Sequence, residues 1–468
     1  MTVDPTSNAF DIEIDVLVVG AGGCGLVAAI AAEAGGASVA VVEKLTRLAG
    51  NTLLSSGSIP GAGTRLQAEA GVEDGPERFI ADLLAVSGPH EAEHLTRRLA
   101  ATSAELVEWL IDEAHVTLTL VGTYRHVGHS VTRLHAPPSR RGADLVADLE
   151  REASARGIPV ALGQPATSLI LRGGRVVGVV TRDAEGRESR IGAGAVILAS
   201  NGFGGAPDLV AAHCPEARGT TYAGAPGSTG EALAWGLELG AATGNLGAYQ
   251  GHAGLARRSG ALVTWTVIER GGIIVDRNGR RIGDETLGYS AFAGVEAAAD
   301  APLYMIYDAR IEADVASGQP EFAEIAEMGD AAAGADAADL ADAIGVHADA
   351  LGATLADAAN AAAGGEDAFG RTAWGFGPLG APLRATEITP GLFHTQGGLM
   401  IDDDARVLRP DGSAIAGLFA GGGAAAGISG RAGGRGYVSG NGLLSALGLG
   451  YIAGRAAARD TAAKRAAE

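Results

Sequence analysis

An α/β fold with a parallel sheet is the class that this chain of 468 residues predicts, on three observations. Residues 15–43, DVLVVGAGGCGLVAAIAAEAGGASVAVVE, read as an apolar strand, a glycine turn, a small-residue helix and a second apolar strand ending in an acid. Residues 159–204 alternate as a β-meander and close on a buried parallel strand, 196–199, that breaks at glycine. The segment 378–468 returns to the glycine-rich, apolar style of the start, so the opening unit is expected to be discontinuous.

In the first of these stretches Gly20 permits the tight turn. Gly22 lets backbone N–H groups approach a pyrophosphate at the helix N-terminus, and Gly25 lets helix and strand pack closely. Glu43 falls about 20 residues on, where a ribose 2′-OH is held, and an acid there disfavours a 2′-phosphate. A lone GxGxxG is weak in a chain with 73 glycines, but strand, helix and acid together support a dinucleotide-binding βαβ unit for FAD or NAD rather than NADP. Gly23, Cys24 and Lys44 belong to the same expected cofactor-binding set.

Composition narrows the partners. The length accommodates a large core in two or three units. No apolar run reaches about 18 residues without glycine or charge, and residues 1–10 lack the basic start and apolar core of a signal peptide, so a cytoplasmic protein with no membrane partner is expected. The net charge of −20 argues against nucleic acid. Cys24 and Cys214 suggest neither a disulfide nor a metal site, and the three histidines of 126–135 lack matching carboxylate or cysteine spacing, so no metal is expected.

After Glu43 the run KLTRLAGNTLLSSGSIPGAGT places Gly50, Asn51, Thr52, Ser55, Ser56 and Gly57 in a small, hydroxyl-rich loop suited to a flat ring. The passage resembles the GGNS…SGG segment of the fumarate reductase / succinate dehydrogenase flavoprotein superfamily, which includes the 3-ketosteroid dehydrogenases. In its membrane-bound members a histidine of this loop carries FAD covalently; Asn51 falls near that position, so the resemblance implies FAD held non-covalently. It further implies a two-dinucleotide-binding-type Rossmann FAD domain, discontinuous over 1–246 and 378–468, with an inserted α+β capping domain at 247–377.

Residues 73–115 carry helical periodicity in Phe79, Leu83, Leu84, Leu95, Leu99, Leu106 and Leu110. His129, Ser130 and Arg133 resemble a GHS..R stretch of the superfamily that lies near the cofactor. The meander turns at Gly173-Gly174 and Glu185-Gly186, and its last strand resembles the VILATGG strand that returns to the nucleotide, which adds Ser200, Asn201 and Gly202 to the cofactor set; Ala166, at the start of the meander, is expected there too. Asn201 replaces the usual first glycine. The Ala/Asp-rich stretch 335–370 is expected to be helical, because Leu340, Ile344, Leu351 and Leu355 keep helical spacing and alanine is the best helix former. Asp367–Arg371 resembles the end of the superfamily's cap.

Four stretches resemble active-site segments of the superfamily. YQGHAG (249–254) resembles the QFHP stretch that holds a substrate carboxylate, which places Tyr249 and His252 at the substrate. Residues 269–290 resemble RGxGxIxVNxxGxRFxNE; there the proton-donating arginine of fumarate reductases is replaced by Tyr289, and Val267 stands for the relay glutamate three residues before Arg270. PGLFHTQGGLMID (390–402) resembles HTMGG, with His394 toward substrate and Gly397 and Gly398 toward cofactor. In 417–454, Gly421 and Gly422 match glycines at a strand end, and Gly440, Asn441, Gly442, Leu443 and Leu444 resemble the turn whose helix faces the flavin, with Gly442 also toward substrate; Tyr437 stands where fumarate reductases have an arginine.

Losing two arginines argues against a dicarboxylate, which needs bidentate charge-assisted clamps. Tyrosines suit a ketone: Tyr289 as base for the α-proton and Tyr437 as donor to the developing enolate, while the β-hydrogen leaves as hydride for the flavin. A free tyrosine with a pKa of about 10 needs a nearby cation or dipole, and His252 or Arg270 is expected to supply it. The expected activity is therefore FAD-dependent α,β-dehydrogenation of a small cyclic ketone, with an external electron acceptor. The alternatives are the same apparatus reducing an enone or an unsaturated carboxylate, with Arg270, Arg431 or Arg435 as the clamp, and a flavin-binding protein without catalysis.

Overall fold

A computed structural model describes residues 9–122 and 125–467. β1 (Ile12–Val19), α1 (Gly23–Ala34) and β2 (Val39–Val42) form the opening unit, with Val16–Val19 in parallel register with Val39–Val42. Val16, Leu17 and Val18 are fully buried, which is why this strand is apolar on both faces. The meander follows as antiparallel strands Ala166–Arg172 and Arg175–Arg182 and then β3 (Glu188–Leu198), with Gly173 and Gly174 both at positive φ in the first turn. β3 returns parallel to β1, pairing Val16 with Ala195 and Val19 with Leu198. The helical periodicity of 73–115 resolves into helices Pro76–Ser87 and Glu93–Asp112.

A second sheet begins with β4 (Gly247–Ala256). Then come α2 (Tyr289–Ala298), β5 (Leu303–Asp308) and β6 (Leu383–Thr395), and β6 pairs antiparallel with both β4 and β5. This sheet does not stop at residue 377: β6 is its central strand and runs on to Thr395, across the boundary expected from the composition shift. The Ala/Asp-rich stretch folds as helices Ala337–Ile344 and Ala348–Ala362, which bury Leu340 and Leu351 completely; Gly345, at φ 71°, ends the first of them. The chain then rejoins the first sheet with β7 (Ala414–Ala420), parallel to β3 through Leu418 and Val196, and α3 (Leu449–Ala467) packs along α1.

Buried charge locks the second unit. Glu285, fully buried, accepts from the backbone N–H of Ile274 (3.1 Å), from Arg281 (2.6 Å) and from Arg371 (3.1 Å). Arg281 also pairs with Asp367, while Arg371 donates to the carbonyls of Ile268 (2.9 Å) and Gly272 (2.8 Å). Residues 367–371 therefore close the segment by ion pairing. Replacing Glu285 by alanine leaves the buried Arg371 guanidinium without a carboxylate and Arg281 with Asp367 alone, and denaturant unfolding of E285A is expected to show a loss of about 3–5 kcal/mol.

Candidate functional site

A cavity of about 630 Å³ runs from the opening βαβ unit to the second sheet. At its first end Gly20, at φ 106°, has no room for a side chain, since a Cβ would lie 2.5 Å from the Ala199 carbonyl oxygen. A Cβ on Gly25 would come within 1.8 Å of the Gly20 carbonyl oxygen, so helix and turn touch backbone to backbone. Gly22 has nothing within 4 Å of a Cβ position and N-caps α1, which has no side-chain cap, so the helix dipole and its first N–H groups are left open to an anion. Glu43 lines the cavity and accepts from the N–H groups of Ala21 and Leu45, both at 2.9 Å. Lys44 is held by Glu231 (2.6 Å) and Thr229 (2.8 Å).

Further along, the wall is formed by Gly23, Cys24, Asn51, Thr52, Ser55, Ser56, Ala166, Ser200, Asn201, Gly422, Gly442 and Leu443. Asn201 adopts the left-handed conformation (φ 69°), which asparagine tolerates, and donates to Ser228 at 2.8 Å. Three buried polar atoms in this wall, Asn51 Nδ2, Ser200 Oγ and Ser445 Oγ, have no protein partner. A slot with an open helix N-terminus at one end, unpaired donors along it and a hydroxyl-rich loop beside it fits an adenine dinucleotide with a polar ring.

The reacting end is made by α2, β4, β6 and the segment before α3. Tyr289 opens α2 and stacks on His252 of β4 (centroids 4.9 Å apart, 21°), which stacks in turn on Phe393 of β6 (5.2 Å, 17°). Tyr437 meets Tyr289 edge to face at 6.1 Å, and its hydroxyl accepts from the Gly442 N–H at 3.2 Å. Burial, with Tyr289 beside it, pushes the Tyr437 phenol well above its usual range, so it keeps its proton and can donate. Ser429 donates to Gln396 Oε1 (2.9 Å), fixing the amide so that its Nε2 faces His394 Nδ1 at 3.0 Å, with the Thr395 carbonyl oxygen 3.3 Å from the same ring nitrogen. A Cβ on Gly442 would lie 2.7 Å from His394 Nε2 and 3.2 Å from the Tyr437 hydroxyl, so a cradle between the two exists only for glycine. Burial lowers His394 to about 4 and His252 to about 3, leaving both neutral near pH 7.

Other expected site residues are elsewhere. Arg270 is turned away: its Nε donates to Asp314 at 2.7 Å and its guanidinium lies over Phe376. Neither Arg270 nor the neutral His252 is therefore a cation beside Tyr289. Tyr249 points to the opposite side of β4 from Gln250 and His252, toward Glu216, because side chains alternate along a strand. Gly25, Gly202, Gly397, Gly398 and Gly421 lie behind the wall, each where a side chain would strike a neighbour, such as Thr395 Oγ1 at 2.2 Å from Gly202 and the Leu246 Cα at 2.3 Å from Gly397. Gly57 packs under Pro137, Asn441 donates to Ser429 at 3.3 Å, and Leu444 is buried behind Leu443. Arg431 pairs with Glu91 and Arg435 is exposed.

His129 and Arg133 form a buried cluster with Asp74 and Asp82 behind the site. Residues that the sequence did not single out also line the cavity: His126, Arg140, Trp265, Thr266, Glu269, Gln319, Phe393, Gln396 and Ser439. Burial raises the Glu269 carboxyl to about 7. Arg270, its neighbour in sequence, donates instead to Asp314, 44 positions away, which linear spacing does not reveal. Among the described residues, no helix is long and apolar enough to cross a membrane, and no three His, Cys, Asp or Glu side chains are grouped to hold a metal ion.

The profile of the family described as FAD binding domain matches residues 15–438. The chain is 30% identical over 421 residues to NADH:fumarate oxidoreductase of Klebsiella pneumoniae, covering 89% of this chain but spanning only 45% of that protein. It is 28% identical to 4-oxocyclohexanecarboxylate 2-dehydrogenase of Sinomonas cyclohexanicum, covering 96% of this chain and 93% of that one. The open conformation of a flavocytochrome c3 fumarate reductase superposes with a TM-score of 0.81 at 28% identity, over 97% of this chain and 79% of that one.

Two outcomes follow from this geometry. Because folding raises the Glu269 pKa, the folded state binds the proton more tightly; the stability this contributes is complete below about pH 4.5 and is lost as pH rises through about 7. Thermal melts of E269Q should therefore gain on wild type at pH 8 and lose that advantage at pH 5. Gly442→Ala fills the cradle, and it is expected to lower kcat/KM at least tenfold while the bound cofactor's absorbance stays.

Proposed function

Because this chain belongs to the FAD binding domain family, we propose that it is an FAD-dependent oxidoreductase acting on CH–CH bonds, desaturating a small cyclic ketone next to its carbonyl. The observation that carries this reading is the convergence of two phenols from different segments on one cavity, Tyr289 and Tyr437, with their rings 6.1 Å apart, while Arg270 and Arg431 are paired with carboxylates and Arg435 is exposed. A dicarboxylate would meet no pair of guanidinium forks at these positions.

The residues that would hold FAD are the open start of α1 for the pyrophosphate, Glu43 for the ribose, and Asn51, Ser200 and Ser445, whose buried polar atoms lack protein partners. When bound, FAD supplies a two-electron acceptor for the β-hydrogen. The chain's own groups handle the proton and the oxygen. Tyr437 donates to the carbonyl oxygen, and the Gly442 N–H, which donates to Tyr437 Oη, orients that phenol and strengthens it as a donor. Tyr289 Oη takes the α-proton, and the electron pair of that C–H bond moves toward the carbonyl. Stacking of Tyr289 on His252, and of His252 on Phe393, fixes the phenol's plane and keeps water from that face. His394, neutral, faces the same space.

A 4-oxocyclohexanecarboxylate dehydrogenase among the relatives is consistent with a ring of this size. The second reading runs the same groups backwards, with Tyr289 giving a proton to an enone or unsaturated carboxylate. Arg140, which lines the cavity, is the residue that would meet a carboxylate.

An anaerobic panel decides between the two. Cyclic ketones should bleach the yellow of the purified protein, with Y289F slowed about 10²–10⁴-fold and Y437F about 10²–10³-fold. Wild-type turnover in both variants would remove the tyrosine roles, and bleaching by saturated dicarboxylates alone would favour a carboxylate substrate.

A further inference from the structure

Resting on the tyrosine reading, we propose that Ser439 is a further catalytic residue, whose hydroxyl donates a hydrogen bond to the ionised Tyr289 and holds that phenol ready as a base. Ser439 Oγ lies 3.2 Å from Tyr289 Oη and lines the cavity. The serine is set by a buried chain behind it. Asp74 and Asp82 hold the guanidinium of Arg133 at 2.7 and 2.8 Å, and Arg133 Nη1 donates to His129 Nδ1 at 3.0 Å. That bond leaves the imidazole hydrogen on Nε2, which donates to the Ser439 carbonyl at 2.8 Å. His129 is neutral, lowered to about 4 by burial, so this tautomer is kept across the working range of pH.

The histidine thus acts through the backbone of residue 439 as a positioning residue, and the serine side chain is presented to Tyr289 from a fixed point. A hydroxyl carries one hydrogen and can reverse its bond. While Tyr289 is ionised, the Ser439 hydrogen points to the phenolate; once Tyr289 has taken the substrate's α-proton, its new O–H donates to Ser439 Oγ instead. The serine neither gains nor loses a proton.

The titratable and charged groups facing this end of the cavity are His252, His394, His126, Arg140, Tyr437 and Glu269. Burial holds the three histidines near 3 or 4 and Glu269 near 7. An effect read from about pH 8 to 10 therefore belongs to the phenols, and Tyr437 is held protonated by its burial.

The test is the pH dependence of kcat/KM for the flavin-loaded enzyme with a cyclohexanone and a dye acceptor. A hydrogen bond to a charged group is worth about one to two pKa units, so S439A should move the rising limb up by about one unit, with a tenfold or greater loss at pH 7 that recovers at high pH. S439T should restore the wild-type limb. The same displacement is expected without turnover, in the ultraviolet difference titration of tyrosinate taken between each Ser439 variant and its Y289F double mutant. If S439A folds poorly, S439C, of similar shape and a weaker donor, carries the same comparison. A profile superimposable on wild type, or a uniform loss at every pH, overturns the assignment. Retained activity in Y289F instead overturns the tyrosine reading on which it rests.

Discussion

The antiparallel pairing of β4 with β6 is the constraint on which the reacting end depends. Gln250 pairs with His394, and Gly251 pairs with Leu392, so Phe393 is an extra residue that bulges from β6. Strand side chains alternate between faces, and a bulge resets that alternation. Here it lets Phe393 and His394, neighbours in sequence, both line the cavity, while β4 presents Gln250 and His252. Phe393 then closes the stack over His252 and Tyr289. A register slip of one residue would turn His252 out of the site.

Charge is arranged around this frame so that several arginines are paired away from the reacting end. Of the arginines that the sequence placed at the substrate, Arg270 is taken up by Asp314 and Arg431 by Glu91, while Arg435 is exposed; Arg281 and Arg371 are taken up by Glu285. The histidines that remain are neutral through burial. Two phenols and a hydroxyl lie at the reacting end, with Arg140 also lining the cavity.

Much of this was legible in the chain, for identifiable reasons. The glycines of 20–25 and Glu43 carry a backbone requirement, and such requirements show directly in residue type. Tyr289, Tyr437, His252 and His394 were found from segment resemblance, and all four meet in the cavity. Tyr249 was expected beside His252, and strand alternation puts the two on opposite faces, with Tyr249 outside the cavity lining. Gly397 and Gly398 were expected beside the cofactor because glycine signals close approach; the approach is to the Leu246 and Ala424 backbones instead. What the sequence hides is the partner of each charge: Asp314 for Arg270, and Asp74 and Asp82 for Arg133, lie far off in the chain. The edge of the second unit was hidden as well, because β6 is at once the middle of one sheet and the approach to the other.

The first sheet is assembled from both ends of the chain, and this bears on how the protein comes to be folded. β3 waits for β7 to cover its edge, and α1 waits for α3, its main helical neighbour, which is synthesised long afterwards. Contacts of such long sequence separation form slowly, and an apolar strand edge left open in the meantime invites pairing with other chains. A nascent chain is therefore expected to be most vulnerable to aggregation while β3 is made and β7 is not. The second unit, whose β4, β5 and β6 pair among themselves, can mature in that interval.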